Sequence, residues 1–306
     1  MKMEFSGVII AVFTVLCWTV SVQFFEAASK RVGPTPVNII RMGVALVLFS
    51  FFLLLRDGVL IPMNFPLRAW ILLSLSGIVG FFIGDIFLFK ALVELGPRVA
   101  MLIHSLAAPT AAVIGWIFLG EYYGLYQWLG IGVTLSGVGL VIMERNNNHT
   151  ARRRSIQRNI TLAGVIYGLL AMAGQACGMV LSKAGMLTGN GYLDAFSSTQ
   201  IRTIAAFVCF VLFFTVTGRW ISVKKACEDR KALLYTSAGS AIGPFLGVSL
   251  ALLALHYIPT GVASTIFSLV PIFIIPFSIF LHKEHVSVRA VTGTIIAVFG
   301  VYLLTS

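Results

Sequence analysis

Charged and titratable side chains are rare inside the long apolar stretches of this chain, so each one is a candidate for chemistry. A charge or a proton-exchanging group is costly to hold in apolar surroundings. Groups held there often have perturbed pKa values and serve in binding or proton transfer. Seven such residues are present: Glu26, Arg41, Asp85, Lys90, His104, Lys183 and Arg202.

Asp85, in the sequence FFIGDIFLF, is the acid deepest within an apolar stretch. Burial disfavours the charged form of a carboxyl group, which can bring its pKa into the range that proton transfer requires. Asp85 is therefore a candidate proton-coupling group or a ligand for an amine. The alternative is a buried pair with Lys90, although five residues place the two side chains about 140° apart around a helix.

Arg41 and Arg202 lie near the starts of two apolar segments and have two open interpretations. A guanidinium group can hold a carboxylate through two parallel hydrogen bonds. It can equally bind the free carbonyls at a helix end and fix packing. Glu26 has a similar ambiguity, because Lys30 lies four residues later on the same helical face and would form a surface ion pair with it.

His104 and two aromatic residues complete the candidate site. His104 is either a packing residue or a proton relay. Trp18 and Phe267 are the aromatic residues that we expect to line an apolar small-molecule pocket, although lipid contact or core packing explains such residues as well.

The composition shows which elements must position these residues. The chain has 306 residues, of which 58% are hydrophobic and 11% charged. Runs of about 20 apolar residues predict membrane-spanning helices. We predict an all-α integral membrane protein with ten transmembrane helices, at approximately residues 6–29, 36–55, 69–94, 97–119, 125–143, 162–185, 193–217, 232–256, 259–281 and 287–305. We expect the first of these to be a helix that stays in the protein and not a cleaved signal peptide.

The sequence contains an internal repeat. Residues 84–121 return as residues 247–284 at an offset of 163, with Gly84 matching Gly247 and Glu121 matching Glu284. The match continues through Gly130/Gly293 and Gly137/Gly300, whose seven-residue spacing forms a small-residue stripe. Such a stripe lets helices approach closely, either at a homodimer seam or within one chain. We expect each glutamate to cap the positive end of the helix that follows it.

Each copy contains five helices, so the second copy enters the membrane in the opposite orientation. We therefore predict two inverted five-helix repeats, residues 1–143 and 162–306, joined by a basic linker at 144–161. Inverted repeats are typical of secondary transporters, which bind substrate near the membrane midplane. With the termini outside, the inner loops hold 15 Lys and Arg residues and the outer side 4, so the positive-inside rule places both termini outside.

The ordered set of repeated residues resembles the drug/metabolite transporter superfamily, EamA type. The resemblance rests on Trp18, Pro36, Pro109 and the matched pairs Ser29-Lys30/Ser182-Lys183, Arg41/Arg202 and Glu121/Glu284, and it covers almost the whole chain. It implies a plasma-membrane transporter, in a bacterium the inner membrane, that often exports amino acids, other metabolites or drugs. It also implies cytoplasmic termini, which conflicts with the charge count and leaves orientation open.

The motifs exclude several other functions. The chain has no P-loop, no HExxH and no GxSxG, so we expect neither nucleotide hydrolysis nor enzymatic catalysis. We expect no cofactor, metal or nucleic acid, and as partners a small-molecule substrate, the lipid bilayer and, as one option, protons. The remaining alternatives are a non-transporting accessory or lipid-flipping protein and, less favoured, an integral-membrane enzyme.

Overall fold

The computed structural model describes residues 5–95, 97–143, 161–189, 191–274 and 288–305, and these are almost entirely helical. One short hairpin of β1 (Leu187–Thr188) and β2 (Gly191–Tyr192) interrupts them. The helices are α1 (Phe5–Val32), α2 (Pro34–Asp57), α3 (Leu67–Ser76), α4 (Asp85–Leu95), α5 (Pro97–Ser105), α6 (Ala107–Leu119), α7 (Leu125–Ile142), α8 (Leu162–Met186), α9 (Ala195–Thr217), α10 (Trp220–Glu228), α11 (Arg230–Ser240), α12 (Val248–Tyr257), α13 (Thr260–Phe267) and α14 (Val288–Thr305).

Within the described residues, two π-helical segments join pairs of these helices into longer continuous helices. We call them π1 (Gly77–Gly84), between α3 and α4, and π2 (Ala241–Gly247), between α11 and α12. In the part of the chain that the structure describes, eight of the resulting helices are long and apolar enough to cross a membrane, and two shorter apolar helices lie at the ninth and tenth predicted positions. The prediction of a ten-helix membrane protein is thus confirmed. The end of the ninth predicted helix, with Pro276 and Glu284, lies outside the described residues.

Prolines explain where three of the apolar helices are interrupted. A proline inside a helix removes one hydrogen bond and its ring clashes with the carbonyl four residues earlier. Four residues before Pro109 is Ser105, where α5 ends. The same spacing relates Pro271 to the end of α13 and Pro244 to the end of α11. The sequence predicted these prolines as kinks within spans, but not the form each interruption takes.

Two elements outside the predicted spans were not predicted. The helix α10 precedes the predicted eighth span, and the β1–β2 hairpin precedes α9. Both fall in connections that the apolar pattern treats only as loops. The hydrophobic pattern does not predict such short surface elements, because few of their side chains are buried.

The chain forms two compact units, and each combines parts of both repeats. The first unit contains Met1–Phe82 and Cys177–Ile258, and the second contains Ile83–Ala176 and Pro259–Ser306. The units therefore do not coincide with the sequence repeats.

In the first unit, α2 and α9 pack antiparallel. Gly43 faces the ring of Phe207. Further along, Gln200 Nε2 donates a hydrogen bond to Ser50 Oγ at 3.0 Å. At the far end of α2, Arg56 contacts Asp194, just before α9 begins. Because α2 and α9 are the second helices of the two repeats, their opposite directions confirm the inverted repeat.

In the second unit, α7 and α14 pack antiparallel through the glycine stripe. A Cβ at Gly137 would collide with the backbone at Gly293 and Ala297, and one at Gly130 would lie 2.8 Å from the Gly300 carbonyl oxygen. Only glycine allows the two backbones to approach so closely. The stripe therefore serves packing within the chain, the second of the two interpretations that the sequence left open.

Candidate functional site

The two π segments occupy equivalent places in the two repeats. The offset of 163 pairs Gly80 with Gly243, Phe82 with Phe245 and Gly84 with Gly247. Wide helical turns of this kind are uncommon and are frequent at functional sites. Their occurrence at the same point of both repeats makes them the centre of the candidate site.

Aromatic rings connect each π segment to the second helix of the other repeat. Phe82 of π1 lies 5.0 Å from Phe210 of α9, measured between ring centroids. Phe245 of π2 lies at the same distance from Phe49 of α2. Phe49 and Phe210 are themselves equivalent, 161 positions apart. The first unit therefore has an internal two-fold relationship, in which the Phe82–Phe210 contact is equivalent to the Phe245–Phe49 contact.

Arg202 lies at the π1 end of this arrangement. The backbone of π1 approaches α9 so closely that a Cβ at Gly77 would collide with the Arg202 carbonyl. About one turn later, the ring of Phe81 lies beneath the Arg202 guanidinium, with Cζ 4.3 Å from the ring centroid. Arg202 is only 5% exposed, and its Nε is buried without a hydrogen-bond partner among the described residues.

Arg41 lies at the equivalent place beside π2, but with a different aromatic partner. Pro244 stands where π1 has Phe81, so π2 supplies no ring at that position. Phe25 of α1 supplies it instead, with the Arg41 guanidinium carbon 5.5 Å from its ring centroid. Phe25 in turn lies against Gly239 and Gly243. Each arginine therefore stacks on one ring beside one π segment, as cation–π pairs do.

Trp18 also borders π2. A Cβ added at Gly247 would lie 2.8 Å from Cδ1 and 2.9 Å from Nε1 of the Trp18 indole. The structure thus brings three of the predicted site residues, Trp18, Arg41 and Arg202, to the two π segments of the first unit. That Trp18 lines a substrate pocket stays a prediction.

Glu26 has a different environment from these three residues. Its carboxylate lies 2.6 Å from the Lys30 ammonium, and both side chains are more than half exposed. This is the surface ion pair that the four-residue spacing indicated. At the same end of the unit, Arg31 contacts Asp229, and this hydrogen bond lowers the pKa of the Asp229 carboxyl.

The opposite end of the first unit contains one arginine that pairs with two aspartates. Arg56 donates to both Asp57 and Asp194. Burial alone would raise the pKa of Asp194, but the hydrogen bonds from Arg56 and from the Ser197 amide hold it below its ordinary value. The buried Lys183 ammonium donates to the Ile258 carbonyl, at the end of α12, over 2.8 Å. This is the helix-end role that the sequence left open for Arg41 and Arg202.

The other predicted site residues belong to the second unit. Asp85 is half-buried and follows π1 directly as the first residue of α4. The Lys90 ammonium lies over the rings of Phe87 and Tyr167, at 5.4 and 5.3 Å from their centroids.

His104 and Phe267 lie within the helices of the second unit. The Nδ1 atom of His104 is buried without a hydrogen-bond partner among the described residues. Phe267, the last residue of α13, is 6% exposed.

Glu121 has a capping role, but for a different helix than predicted. Its carboxylate accepts hydrogen bonds from the Thr260 amide and hydroxyl, at the start of α13, whereas the sequence pointed to α7, the helix that follows it. The Tyr123 hydroxyl donates to Glu121 and accepts from the Gly261 amide. Burial, together with the neighbouring carboxylate, raises the pKa of Tyr123. The prediction failed because spacing along the chain does not show which helix end lies nearby.

Comparison with known proteins places this architecture in a family. The family model described as "EamA-like transporter family" matches residues 5–143 and 162–306. The chain belongs to the EamA-like transporter family. No curated protein matches it. A solved structure, titled only "Crystal structure of protein", matches with a TM-score of 0.72 at 14% identity, covering 99% of this chain and 97% of that one. This likeness confirms the fold alone.

In this EamA-like transporter, sequence reasoning missed the π segments and the rings under the arginines. One pattern does contain that information. Arg41, Ala45, Phe49 and Phe52 recur in the same spacing as Arg202, Ala206, Phe210 and Phe213. The repeat of this helical face identifies the surfaces that pack on the π segments. It does not identify Phe25, whose role is confined to one of the two copies.

Proposed function

We propose that the chain is a secondary transporter that moves a small organic metabolite, an amino acid or a related compound, out of the cell across the plasma membrane by alternating access. The observation that carries this proposal is the antiparallel packing of repeat-equivalent helices, α2 on α9 and α7 on α14. The family assignment supports transport of small molecules.

The physical argument concerns the energy of the two access states. Inverted repeats let a protein exchange an outward-open for an inward-open arrangement by exchanging the conformations of its two copies. Because the exchanged contacts are alike, as Phe82–Phe210 and Phe245–Phe49 are here, the two states can have similar free energies. Similar free energies are what a carrier needs to alternate rapidly.

The proposed coupling ion is the proton, and the proposed coupling group is Asp85. This carboxyl is half-buried at the junction where π1 meets α4. A carboxyl group in partly apolar surroundings can exchange protons near neutral pH.

The repeat boundaries proposed for this carrier are residues 1–143 and 162–306, with the basic linker at 144–161.

The test is flux in proteoliposomes made with the purified full-length protein. A panel of labelled amino acids and related metabolites is followed with and without an imposed pH gradient, against protein-free liposomes. Gradient-driven flux of one compound supports proton-coupled transport. Flux that ignores the gradient supports transport and removes the coupling. An absence of flux for every compound, combined with accelerated lipid movement between leaflets, would overturn transport in favour of lipid flipping.

A further inference from the structure

We propose that Arg202 is the anion-recognition group of this transporter and that its substrates carry a carboxylate which the guanidinium binds. The inference rests on the proposed transport function and narrows it to a class of substrate. It is argued from the surroundings of Arg202 in the first unit.

The first step concerns charge. Arg202 is 5% exposed, and its Nε is buried with no hydrogen bond among the described residues. A charged group in such a place is costly unless a counter-charge or hydrogen bonds compensate it. Among the described residues of the unit, four acids already contact other bases: Glu26 with Lys30, Asp57 and Asp194 with Arg56, and Asp229 with Arg31. The remaining described acid, Glu228, is exposed on α10.

The second step concerns geometry. Gly77 brings π1 against the backbone of Arg202, and Phe81 lies under the guanidinium at 4.3 Å. A ring on the flat face holds the plane of the group and leaves the N–H edge for another ligand. A planar carboxylate fits that edge with two parallel hydrogen bonds. Phosphate sites, by contrast, usually draw on several cations or backbone amides.

The third step concerns the equivalent arginine. From the register of α2 and α9, Arg41 lies about seven residues, roughly 10 Å, along the helix axis from Arg202. Arg41 is half-buried, and its guanidinium carbon lies 5.5 Å from the centroid of the Phe25 ring. The corresponding distance from Arg202 to Phe81 is shorter. The two-fold relationship is therefore imperfect at these residues. The more deeply buried Arg202 is the stronger anion site of the two.

The experiment measures acid-over-amide preference in proteoliposomes. Uptake of each labelled acid that the wild-type protein carries is competed with the same unlabelled acid and with its primary amide. The variants are Arg202→Lys, Arg202→Ala and Phe81→Leu, and Arg68→Ala, which changes an exposed arginine, is the matched control. Monodispersity in detergent is checked for each variant.

We expect the amides to compete at least tenfold more weakly than the acids with the wild-type protein and with Arg68→Ala. Arg202→Lys should raise the KM for the acid about 10- to 100-fold, the effect of losing a charge-assisted hydrogen bond. Arg202→Ala should lose the acid preference. Phe81→Leu should weaken the preference while leaving some flux, because the guanidinium is then less firmly oriented.

Two results would overturn the inference while leaving the proposed function intact: equal transport of acids and amides by the wild-type protein, or an unchanged acid preference in a folded Arg202→Ala protein. If Arg202→Ala does not fold, Arg202→Lys and the wild-type preference decide the question. Complete absence of flux for all compounds would remove the proposed function itself, and the inference with it.

Discussion

Phe82 and Phe245, which are equivalent residues of the two repeats, each pack at 5.0 Å against an equivalent phenylalanine of the opposite repeat. The same exchange relates Arg202 and Arg41, each beside the π segment of the other copy. The internal symmetry of the sequence is therefore also a symmetry of contacts inside the first unit. It breaks where Pro244 replaces the ring that Phe81 provides.

Gly137→Ala should destabilise the protein, whereas Gly132→Ala on the same helix should not. Both changes raise helix propensity equally. A Cβ at Gly137 would collide with the backbone of α14, while one at Gly132 meets open space. We expect a loss of about 1–3 kcal/mol for Gly137→Ala, measured as thermal stability in detergent. Equal stability of the two variants would contradict the close packing of α7 on α14.

Tyr123→Phe should destabilise the protein, and Tyr122→Phe should not. Tyr123 bridges Glu121 and the Gly261 amide in a buried network, whereas Tyr122 is 85% exposed. Removing the hydroxyl leaves a buried amide without its acceptor, which costs about 1–3 kcal/mol. Thermal unfolding followed by loss of monodisperse protein is the measurement. A Tyr123→Phe protein as stable as Tyr122→Phe would show that the network contributes nothing.

Asp194→Asn should make the stability of the protein depend less on pH in the acidic range. The pKa of Asp194 is held below its ordinary value, so its ion pair stabilises the fold above about pH 4 and this contribution disappears as the pH falls through the lowered pKa. Asparagine keeps the cap of α9 and removes only the charge. We expect the free energy of unfolding to fall by about 0.5–1 kcal/mol near neutral pH; the loss is small because the pair is partly solvated. Glu228→Gln, at an exposed acid, is the control and should leave the profile unchanged.

Asp85→Asn should abolish gradient-driven flux while leaving the protein folded and able to bind substrate. Asparagine has nearly the same shape but cannot exchange a proton. The measurement compares flux driven by a pH gradient with counterflow at equal pH, where no net proton movement is needed. Gradient-driven flux at the wild-type rate in this variant would exclude Asp85 from coupling.

Cys227 should react with a membrane-impermeant maleimide only in inside-out vesicles. It is exposed on α10, beside Lys224 and Lys225, at the end of the first unit that also holds Arg31. The positive-inside rule places this basic end in the cytoplasm. A Cys227→Ser variant shows the background from the three half-buried cysteines. Labelling in right-side-out cells would instead support the cytoplasmic termini that the family resemblance implied.

Much of the fold follows from sequence because lipid imposes a strict rule. Every apolar run must satisfy its backbone internally, so length and hydropathy alone predict the spans. The repeat then predicts inversion, because five is odd. The α2–α9 and α7–α14 pairs bear this out.

The candidate site was less predictable, because periodicity is weak in helices that are apolar on every side. Arg41 and Arg202 were identified by charge, but their stacking partners were not. Phe25 and Phe81 are two among 24 phenylalanines, and only tertiary contact distinguishes them. Glu121 was assigned to the wrong helix for the same reason, since its partner Thr260 lies 139 residues away.

The contact between α7 and α14 has a further consequence. Because Gly130 meets Gly300 and Gly137 meets Gly293, the two helices use the same face on both sides of the contact. Such an isologous surface is self-complementary and does not require the two helices to belong to one polypeptide. The glycine pattern of either copy therefore contains both sides of this seam. Joining two copies in one chain fixes their ratio and lets each half diverge, as Pro244 and Phe81 have done.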